Sequence, residues 1–490
     1  MKNRFFNVLF KSRANNSYYL DEINNQIYLL HPLFYYLLSN HEIFDNKTEE
    51  LLLKYNNDTT ININGVPYKK EEIEYYLNKM IFFKKHGILK NTSHNIFYTN
   101  YKREDVQRSI EETNQIVIEM TENCNLRCSY CTYGEMYNRG ETRQNRNIDT
   151  QFAKEFLHFL ITNFWNIATN NIIKRKIRID YYGGEPLIRY KEIVEITEFL
   201  KKYSSKQLEF IFGLTTNATL LNKDILKYLA DNNFILTISI DGNKKNNSYR
   251  VFQKGEESFP ILKKNIDTIK QIYPTYFNNY VYFTSVLHDR NSMEEINNFL
   301  IQNYNKTSIV GNLNPDSLKN EAIQKYYNMV NKSAKQGNEI KALKNLIEYY
   351  NSYILQSPHE LIIDKLIKKR YPSGTCMPLK KKIFITTNRC ILPCEKINFK
   401  YLYTQLNSPI KKDILLQKVS ANHSKKIKKI KKQCSKCYYN WICDKCLFTN
   451  NNLTKCNFFM TKQKFQEYLS TAISVLEEKP EIYYQHIKSL

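Results

Sequence analysis

No apolar run in this 490-residue chain approaches the roughly 18 residues that a membrane-crossing helix needs. Residues 5–10 are apolar apart from Asn7, but they are too few for the core of a secretion signal and no small-residue cleavage site follows. The expected location is therefore cytoplasmic, with no membrane partner. Cysteine is missing before Cys124 and again throughout residues 132–375. The eleven cysteines thus stand in two groups, three inside eight residues and eight from Cys376 to Cys456. Clustering of that kind in a cytosolic chain argues against a disulfide framework and for metal ligation. Acidic residues are short as well: 48 Asp and Glu face 72 Lys and Arg, a net charge of +24. Such a balance suits an acidic partner, whether a peptide, a small reductant protein or nucleic acid. Asn, Lys, Ile and Tyr crowd the whole chain, however, and compositional bias accounts for the excess equally well. The densest basic run, 425–432, reads as a solvated helix face. The length suggests about three domains, and the 42% hydrophobic fraction suffices for sizeable cores.

Cys124-Asn-Leu-Arg-Cys128-Ser-Tyr-Cys131 places three thiols at x3 and x2 spacing. Iron–sulfur clusters take thiolate ligands, and a closed structural zinc site takes four ligands. Three thiolates leave one iron of a [4Fe–4S] cube open; three core cysteines or half a zinc site is the competing reading. With aromatic Tyr130 before its last cysteine, the string resembles the signature of radical S-adenosylmethionine (SAM) enzymes. The resemblance implies a [4Fe–4S] cluster on Cys124, Cys128 and Cys131 whose open iron chelates SAM. It also implies one-electron cleavage of SAM to methionine and a 5′-deoxyadenosyl radical.

Residues 1–110 read as a separate small domain. Residues 17–30 form two short strands around Asn24-Asn25. Pro32 opens an apolar helix through residue 38. Residues 60–68 alternate around a Gly65-Val66-Pro67 turn. Helical spacing over 69–86 puts Ile73, Tyr76, Leu77, Met80 and Phe83 on one face, with Gly87 as the stop. This pattern resembles the winged-helix leader-recognition domain of many radical SAM peptide maturases, which implies capture of a leader peptide as an added strand. A cap that merely packs on the next domain is the alternative.

From Gln115 the chain repeats. Strands are expected at 116–120, 176–182, 208–215, 234–240, 280–286 and 308–310. Helices are expected at 150–164, 191–203, 223–230, 259–272 and 294–301. Alternation of this kind predicts parallel strands with right-handed crossovers. The expected fold class is α/β: a partial (β/α)6 radical SAM barrel over 111–320, with chemistry at the carboxyl ends of the strands. Motifs fall at those ends. Tyr182-Gly183-Gly184-Glu185-Pro186 resembles the family's GGEP string, which implies that Glu185 holds the SAM amino group. Thr215-Thr216-Asn217-Ala218 resembles its Thr-x-Asn-Gly string, with Ala218 in the glycine's place. Ile238-Ser239-Ile240-Asp241-Gly242 resembles the Ser-(Ile/Leu)-Asp-Gly string, whose Ser239 and Asp241 would line the ribose and reaction zone. Arg250 matches the arginine that follows, a candidate partner for the SAM carboxylate, although Asn247-Ser248-Tyr249 replace the usual His-Asp pair.

A helical linker is expected over 321–370, then a cysteine-rich domain over 371–460 and a final helix in 461–490. Eight thiolates make two four-ligand sets. The layout resembles the twin-cluster SPASM extension of radical SAM maturases. By that resemblance Cys376, Cys394 and Cys446 hold auxiliary cluster I with Cys390 as fourth ligand. Cys434, Cys437, Cys443 and Cys456 hold auxiliary cluster II. Three [4Fe–4S] clusters result. Arg389 stands where glycine is usual, and Cys443 to Cys446 is spaced x2 rather than x3. A single zinc on Cys434, Cys437, Cys443 and Cys446, with nucleic acid on the basic run, is the alternative. Glu395 aligns with an acidic residue that some sulfatase maturases use as a proton acceptor; a plain surface glutamate is the other reading. The whole reads as a maturase that cross-links a ribosomally made precursor peptide through a thioether or carbon–carbon bond. A flavodoxin or ferredoxin would be its reductant. A formylglycine-generating sulfatase maturase, an RNA-binding zinc or iron–sulfur protein and a non-catalytic scaffold are the alternatives.

Overall fold

The computed structural model describes residues 8–21, 26–40, 60–86, 89, 101–138, 140, 143–165, 175–315, 317–330, 379–439, 448, 456 and 459–481. The turn at Asn24-Asn25, Gly87, most of the 321–370 linker, Cys376, Cys443 and Cys446 lie outside them.

Near the amino end, β1 (Val8–Lys11), β2 (Ser17–Asp21) and β3 (Gln26–Leu30) form an antiparallel sheet in that order, with β3 at one edge. Helix α1 (Pro32–Asn40) starts on its proline. Strands β4 (Ile61–Ile63) and β5 (Val66–Tyr68) meet at Asn64-Gly65, both at positive φ. The expected hairpin therefore turns one residue earlier than the Gly-Val-Pro reading placed it, because Asn-Gly supplies the two left-handed residues a two-residue hairpin needs. Helix α2 (Lys70–Lys85) buries Ile73, Leu77 and Met80 against Leu33, Phe34, Leu37 and Leu38 of α1.

The main sheet begins after α3 (Arg103–Glu111). Strands β6 (Gln115–Thr121), β7 (Arg175–Gly183), β8 (Leu208–Thr216), β9 (Ile235–Ser239), β10 (Val281–Leu287) and β11 (Ser308–Asn312) lie side by side, all parallel. Between them run α4 (Thr150–Leu160), α5 (Tyr190–Lys201), α6 (Lys223–Asp231), α7 (Phe259–Ile272), α8 (Pro274–Tyr280) and α9 (Met293–Tyr304); α10 (Ile323–Met329) follows β11. The strands stand in the sheet in chain order, so right-handed crossovers set these helices on one side of it, and strands such as β8 and β9 alternate buried with half-buried residues. One expectation fails locally. The helix over 150–164 gives way to a π turn, Ile161–Trp165. That extra residue per turn buries Phe164 and Trp165, and the indole N–H donates to the Ile110 carbonyl at 3.1 Å.

Beyond residue 378 the chain rejoins this sheet. Strand β12 (Ile383–Ile385) pairs in parallel with β6, and β13 (Cys390–Leu392) and β14 (Thr404–Gln405) extend it antiparallel. Helix α11 (Lys412–Cys434) carries the lysine run. It buries Leu415, Leu416, Val419, Ile427 and Ile430 and exposes Lys425, Lys428, Lys429 and Lys432, as an amphipathic surface helix does. Lys426 turns inward instead. Its Nζ donates to the Tyr401 carbonyl at 2.9 Å under the rings of Tyr401, Tyr403 and Phe448, and burial lowers its pKa to about 8. Helix α12 (Lys462–Glu478) packs Phe465, Leu469, Ala472 and Ile473 against Val8, Phe10 and Leu20. Ser474 Oγ accepts from Arg13 N at 2.8 Å, and Glu477 accepts from Tyr18 Oη at 2.6 Å. The first sheet and α12 thus share one core.

Candidate functional site

Strand β6 delivers the chain from Thr121 directly into the cysteine loop. Backbone hydrogen bonds strap that loop to the segment after β9: Arg127 N donates to Val251 O at 2.7 Å and Ser129 N to Tyr249 O at 3.1 Å. The Gln253 amide donates to the carbonyls of Cys124 and Leu126. Asn217, at the end of β8, reaches Asn125 Oδ1 at 2.9 Å and approaches Cys124 Sγ at 3.9 Å. Burial pushes the Cys124 thiol up to about 11 and Cys128 up to about 12; neighbouring thiols and carboxylates add to this, while Arg250 pulls Cys128 down. Uncharged thiols in this setting ionise when metal binds them. Among the described residues no three His, Cys, Asp or Glu side chains converge on a single-ion site. A four-iron cube asks for something else, one thiolate on each of several irons. Three thiols on one firmly held loop fit that group.

Beside the loop lies the GGEP turn. Gly183 has φ of +138°, a conformation open to glycine alone. A methyl on Gly184 would run into the Asn123 carbonyl and sit 3.0 Å from Cys124 N. The turn is thereby pressed against the first cysteine, with Glu185 N donating to Asn123 O at 2.8 Å. The Glu185 carboxylate accepts from Thr216 Oγ1 at 2.6 Å, Asn217 N at 2.8 Å and Leu187 N at 3.1 Å, ahead of the 3-10 turn that Pro186 opens. Burial raises its pKa to about 7 against those hydrogen bonds. Neither lysine nor arginine is among these partners, so a buried carboxylate stands ready for an ammonium group. Ala218 holds φ of +58°, the glycine's conformation kept without the glycine, and Arg389 does the same at +56°. Ala218→Gly is expected to stabilise the fold by about 0.5–1 kcal/mol, the left-handed strain less glycine's greater freedom when unfolded. Urea unfolding reads this directly, and no gain would show that Ala218 is unstrained.

The next motif forms a hub. Asp241, fully buried, accepts from Arg250 Nε at 2.9 Å, Arg250 Nη2 at 3.2 Å, Val286 N at 2.9 Å and the Tyr130 hydroxyl. Burial alone would raise this carboxyl, but the Arg250 charge and hydrogen bonds from His288, Arg250 and Tyr130 hold it at about 2. Arg250, expected to meet the SAM carboxylate, pairs with Asp241, and a buried guanidinium needs such a carboxylate beside it. Asp241, expected to line the ribose zone, commits both oxygens to protein donors. Ser239 ends β9 opposite Thr284. The Tyr130 ring is buried between His288 and Tyr249. His288 was missed in the sequence. Its Nδ1 accepts from Arg290 N at 3.1 Å, which leaves the proton on Nε2, toward Asp241 at 3.7 Å. A histidine at the carboxyl end of β10 was the one available signal.

Toward the carboxyl end, Cys390 is buried on β13 with its Sγ donating to Asn388 O at 3.4 Å. Cys394 Sγ donates to Glu395 at 3.3 Å, and burial pushes this thiol up to about 12. Glu395 is buried, not a surface residue. Lys382 Nζ grips both its oxygens at 3.1 Å and, despite burial, holds the carboxyl below its usual range. Its backbone carbonyl accepts from Tyr133 Oη, two residues past Cys131. At the end of α11, Cys437 N donates to Cys434 O at 3.1 Å and Cys456 N to the Gln433 side chain at 2.7 Å. These bonds hold the backbone of Cys437 and of Cys456 near the end of α11.

Residues 118–300 match the Radical SAM superfamily. A cysteine-type anaerobic sulfatase-maturating enzyme of Clostridium novyi (strain NT) is 28% identical over 166 residues, 33% of this chain and 41% of that protein. The radical SAM cyclopropyl synthase TigE of Paramaledivibacter caminithermalis is 26% identical over 263 residues, 51% of this chain and 52% of that protein. The chain thus spans about half or less of the length of these relatives. A solved structure described as native anSMEcpe with bound AdoMet superposes with a TM-score of 0.54 and 18% identity, covering 77% of this chain and 100% of that one. The same protein with bound AdoMet and the Kp18Cys peptide gives 0.53 at 17% identity. At such identities the likeness concerns the fold alone.

Proposed function

Because residues 118–300 are a radical SAM domain, we propose that the chain is a radical SAM maturase that cross-links a ribosomally made precursor peptide. The observation that carries this is the cation-free, buried Glu185 carboxylate tied through Asn217 to the loop of Cys124, Cys128 and Cys131. A [4Fe–4S] cluster on those cysteines would supply the electron that cleaves SAM to a 5′-deoxyadenosyl radical. The chain's residues do the rest. Glu185 accepts the ammonium group of SAM, Gly183 and Gly184 let backbone approach it, and Asp241 fixes Tyr130 and Arg250 around it. Edge strand β3, with Leu29 67% exposed, offers backbone to a leader peptide as an added strand. The remaining cysteines, Cys376, Cys390, Cys394, Cys434, Cys437, Cys443, Cys446 and Cys456, would hold two auxiliary clusters. The chain is cytoplasmic in this reading. A formylglycine-generating sulfatase maturase is the second reading, favoured by the relatives of that name and by Glu395 placed against Cys394.

The test is anaerobic reconstitution with iron and sulfide, then reduction with SAM. About twelve irons per chain, four for each of three cubes, are expected, together with 5′-deoxyadenosine. Alanine at Cys124, Cys128 and Cys131 together should remove about a third of the iron and all deoxyadenosine; cleavage that survives sinks the proposal. A precursor peptide losing reactivity with its leader removed supports the cross-linking maturase. Short cysteine peptides oxidised equally well without any leader support the second reading.

A further inference from the structure

Tyr130 stands between the second and third cysteines of the loop, and four residues hold its side chain. Its hydroxyl donates to Asp241 Oδ2. The Arg250 guanidinium lies 5.5 Å from the ring centre, and the Tyr249 ring meets it edge-on at 6.2 Å. The His288 ring stacks on it at 5.7 Å, with the two planes 27° apart. Arg250 is committed to Asp241, and the Tyr249 hydroxyl donates to Asp289 at 3.0 Å. His288 combines two contacts: a flat ring against Tyr130, and an Nε2–H aimed, at 3.7 Å, at the same Asp241 oxygen that takes the Tyr130 hydroxyl. Burying an imidazole completely is costly unless its nitrogens have partners. Phenylalanine would stack equally well and bury no polar atom, so what the imidazole adds is its two nitrogens.

His288 is itself fixed. Its backbone N–H donates to Asn291 Oδ1 at 2.9 Å, and its Nδ1 accepts from Arg290 N at 3.1 Å. Asp289 N donates to Met329 O at 2.8 Å, which ties this turn to α10. The cysteine loop thus has two supports. Glu185 N on Asn123 O and Asn217 on Asn125 hold the first cysteine from β7 and β8. Ser129 N on Tyr249 O and the Tyr130 side chain hold the stretch from Cys128 to Cys131 from β9 and β10. We propose that His288 is a positioning residue for SAM cleavage: through Tyr130 it fixes the Cys128–Cys131 half of the loop, and with it the placing of a cluster there against SAM held by Glu185. This rests on the radical SAM activity proposed above. Residues that orient the ligands of a metal site are worth about 10–100-fold in affinity or activity, and misplacing reacting groups by about 1 Å can cost about a hundredfold in rate. The ammonium group of SAM belongs to the other support, so the loss falls on kcat and not on KM.

The experiment compares the full, anaerobically reconstituted chain with its His288→Ala, His288→Phe and His288→Gln variants. Deoxyadenosine release with dithionite gives kcat and KM for SAM. Electron paramagnetic resonance of the reduced protein, with and without SAM, reads the cluster. Hydrogen exchange at the Arg127 and Ser129 amides, both bonded across to the segment after β9, reads the loop. His288→Ala should keep its iron, lower kcat at least about tenfold with KM within about threefold, change the SAM-dependent spectrum and speed exchange at both amides. His288→Phe keeps the stack and His288→Gln keeps an N–H toward Asp241; each should recover part of the loss, and both leave a smaller gap than alanine should that variant fail to fold. Unchanged kcat and spectrum in all three overturn the proposal even if the melting temperature falls, because His288 is then packing only. A tenfold rise in KM at unchanged kcat also overturns it. Absence of deoxyadenosine from the wild type fails the enzyme reading; hydrogen exchange then still decides on His288, and equal exchange in wild type and variants overturns its role.

Discussion

Gly184→Ala is expected to cost about a third of the bound iron and at least a hundredfold in deoxyadenosine release. The added methyl has nowhere to go. It meets the carbonyl of Asn123 and the amide of Cys124, both backbone, so relief requires moving the first cysteine of the loop. Overpacking of this kind costs about 1–3 kcal/mol even where side chains can yield, and here the atoms that must yield carry the ligand. Gly255 provides the comparison. It also has positive φ, +98°, but an added methyl there meets nothing within 4 Å. Gly255→Ala should therefore show only left-handed strain, about 1–2 kcal/mol in urea unfolding, with iron content intact. Iron and sulfide analysis of both variants decides. Full iron in Gly184→Ala would mean that the two loops can separate freely.

The second large effect is expected at Asp241. Asp241→Asn removes the charge facing a buried Arg250 and puts an amide donor among donors from Arg250, Val286 and Tyr130. Loss of one partner from a buried ion pair costs about 3–5 kcal/mol, a large part of the stability of a typical domain. Tyr130 should loosen with it, disturbing the residue between the second and third cysteines. The carboxyl is depressed in the fold, held at about 2. Its contribution is thus present above the ordinary carboxylate range near pH 4 and is lost as pH falls toward 2. The variant should lack that acid-dependent part. Thermal unfolding of Asp241→Asn, Arg250→Met and the double variant tests the pair. A double variant destabilised by the full sum of the two single losses would show that the two residues do not act as an ion pair.

Much of this was readable from the chain. The six parallel strands follow from alternating apolar runs and helical spacing, and the motif residues gather at strand ends because connections leave parallel strands there. Glu185, Thr216 and Asn217 meet because they stand at the carboxyl ends of the neighbouring strands β7 and β8. What could not be read was side-chain choice within the gathered set. Arg250 and Asp241 are nine residues apart in sequence, and only burial decides that they pair with each other. His288 carries no motif. Lys382 on Glu395 and Lys426 under three rings come from packing between distant segments. The π turn at Ile161–Trp165 has no signature in periodicity, since the same apolar residues serve an ordinary helix. The parallel pairing of β12 with β6 was likewise hidden, because three residues, Ile-Phe-Ile, carry no period.

That last pairing bears on how the chain comes to be built. Ile383 lies in register with Ile116, and Phe384 with Val117. When β6 leaves the ribosome, its outer partner is still more than two hundred residues from being made. The outer edge of β6 must wait, with its hydrogen-bonding groups unpaired, the situation in which sheet edges pair wrongly. A second delay is longer still: Arg13 and Tyr18 find Ser474 and Glu477 only after a further 461 and 459 residues. Contacts so distant in sequence fold slowly. The maturing chain therefore spends its synthesis with both a sheet edge and an apolar face uncovered, and iron reaching Cys124, Cys128 and Cys131 before β12 arrives would meet a loop on an unfinished scaffold.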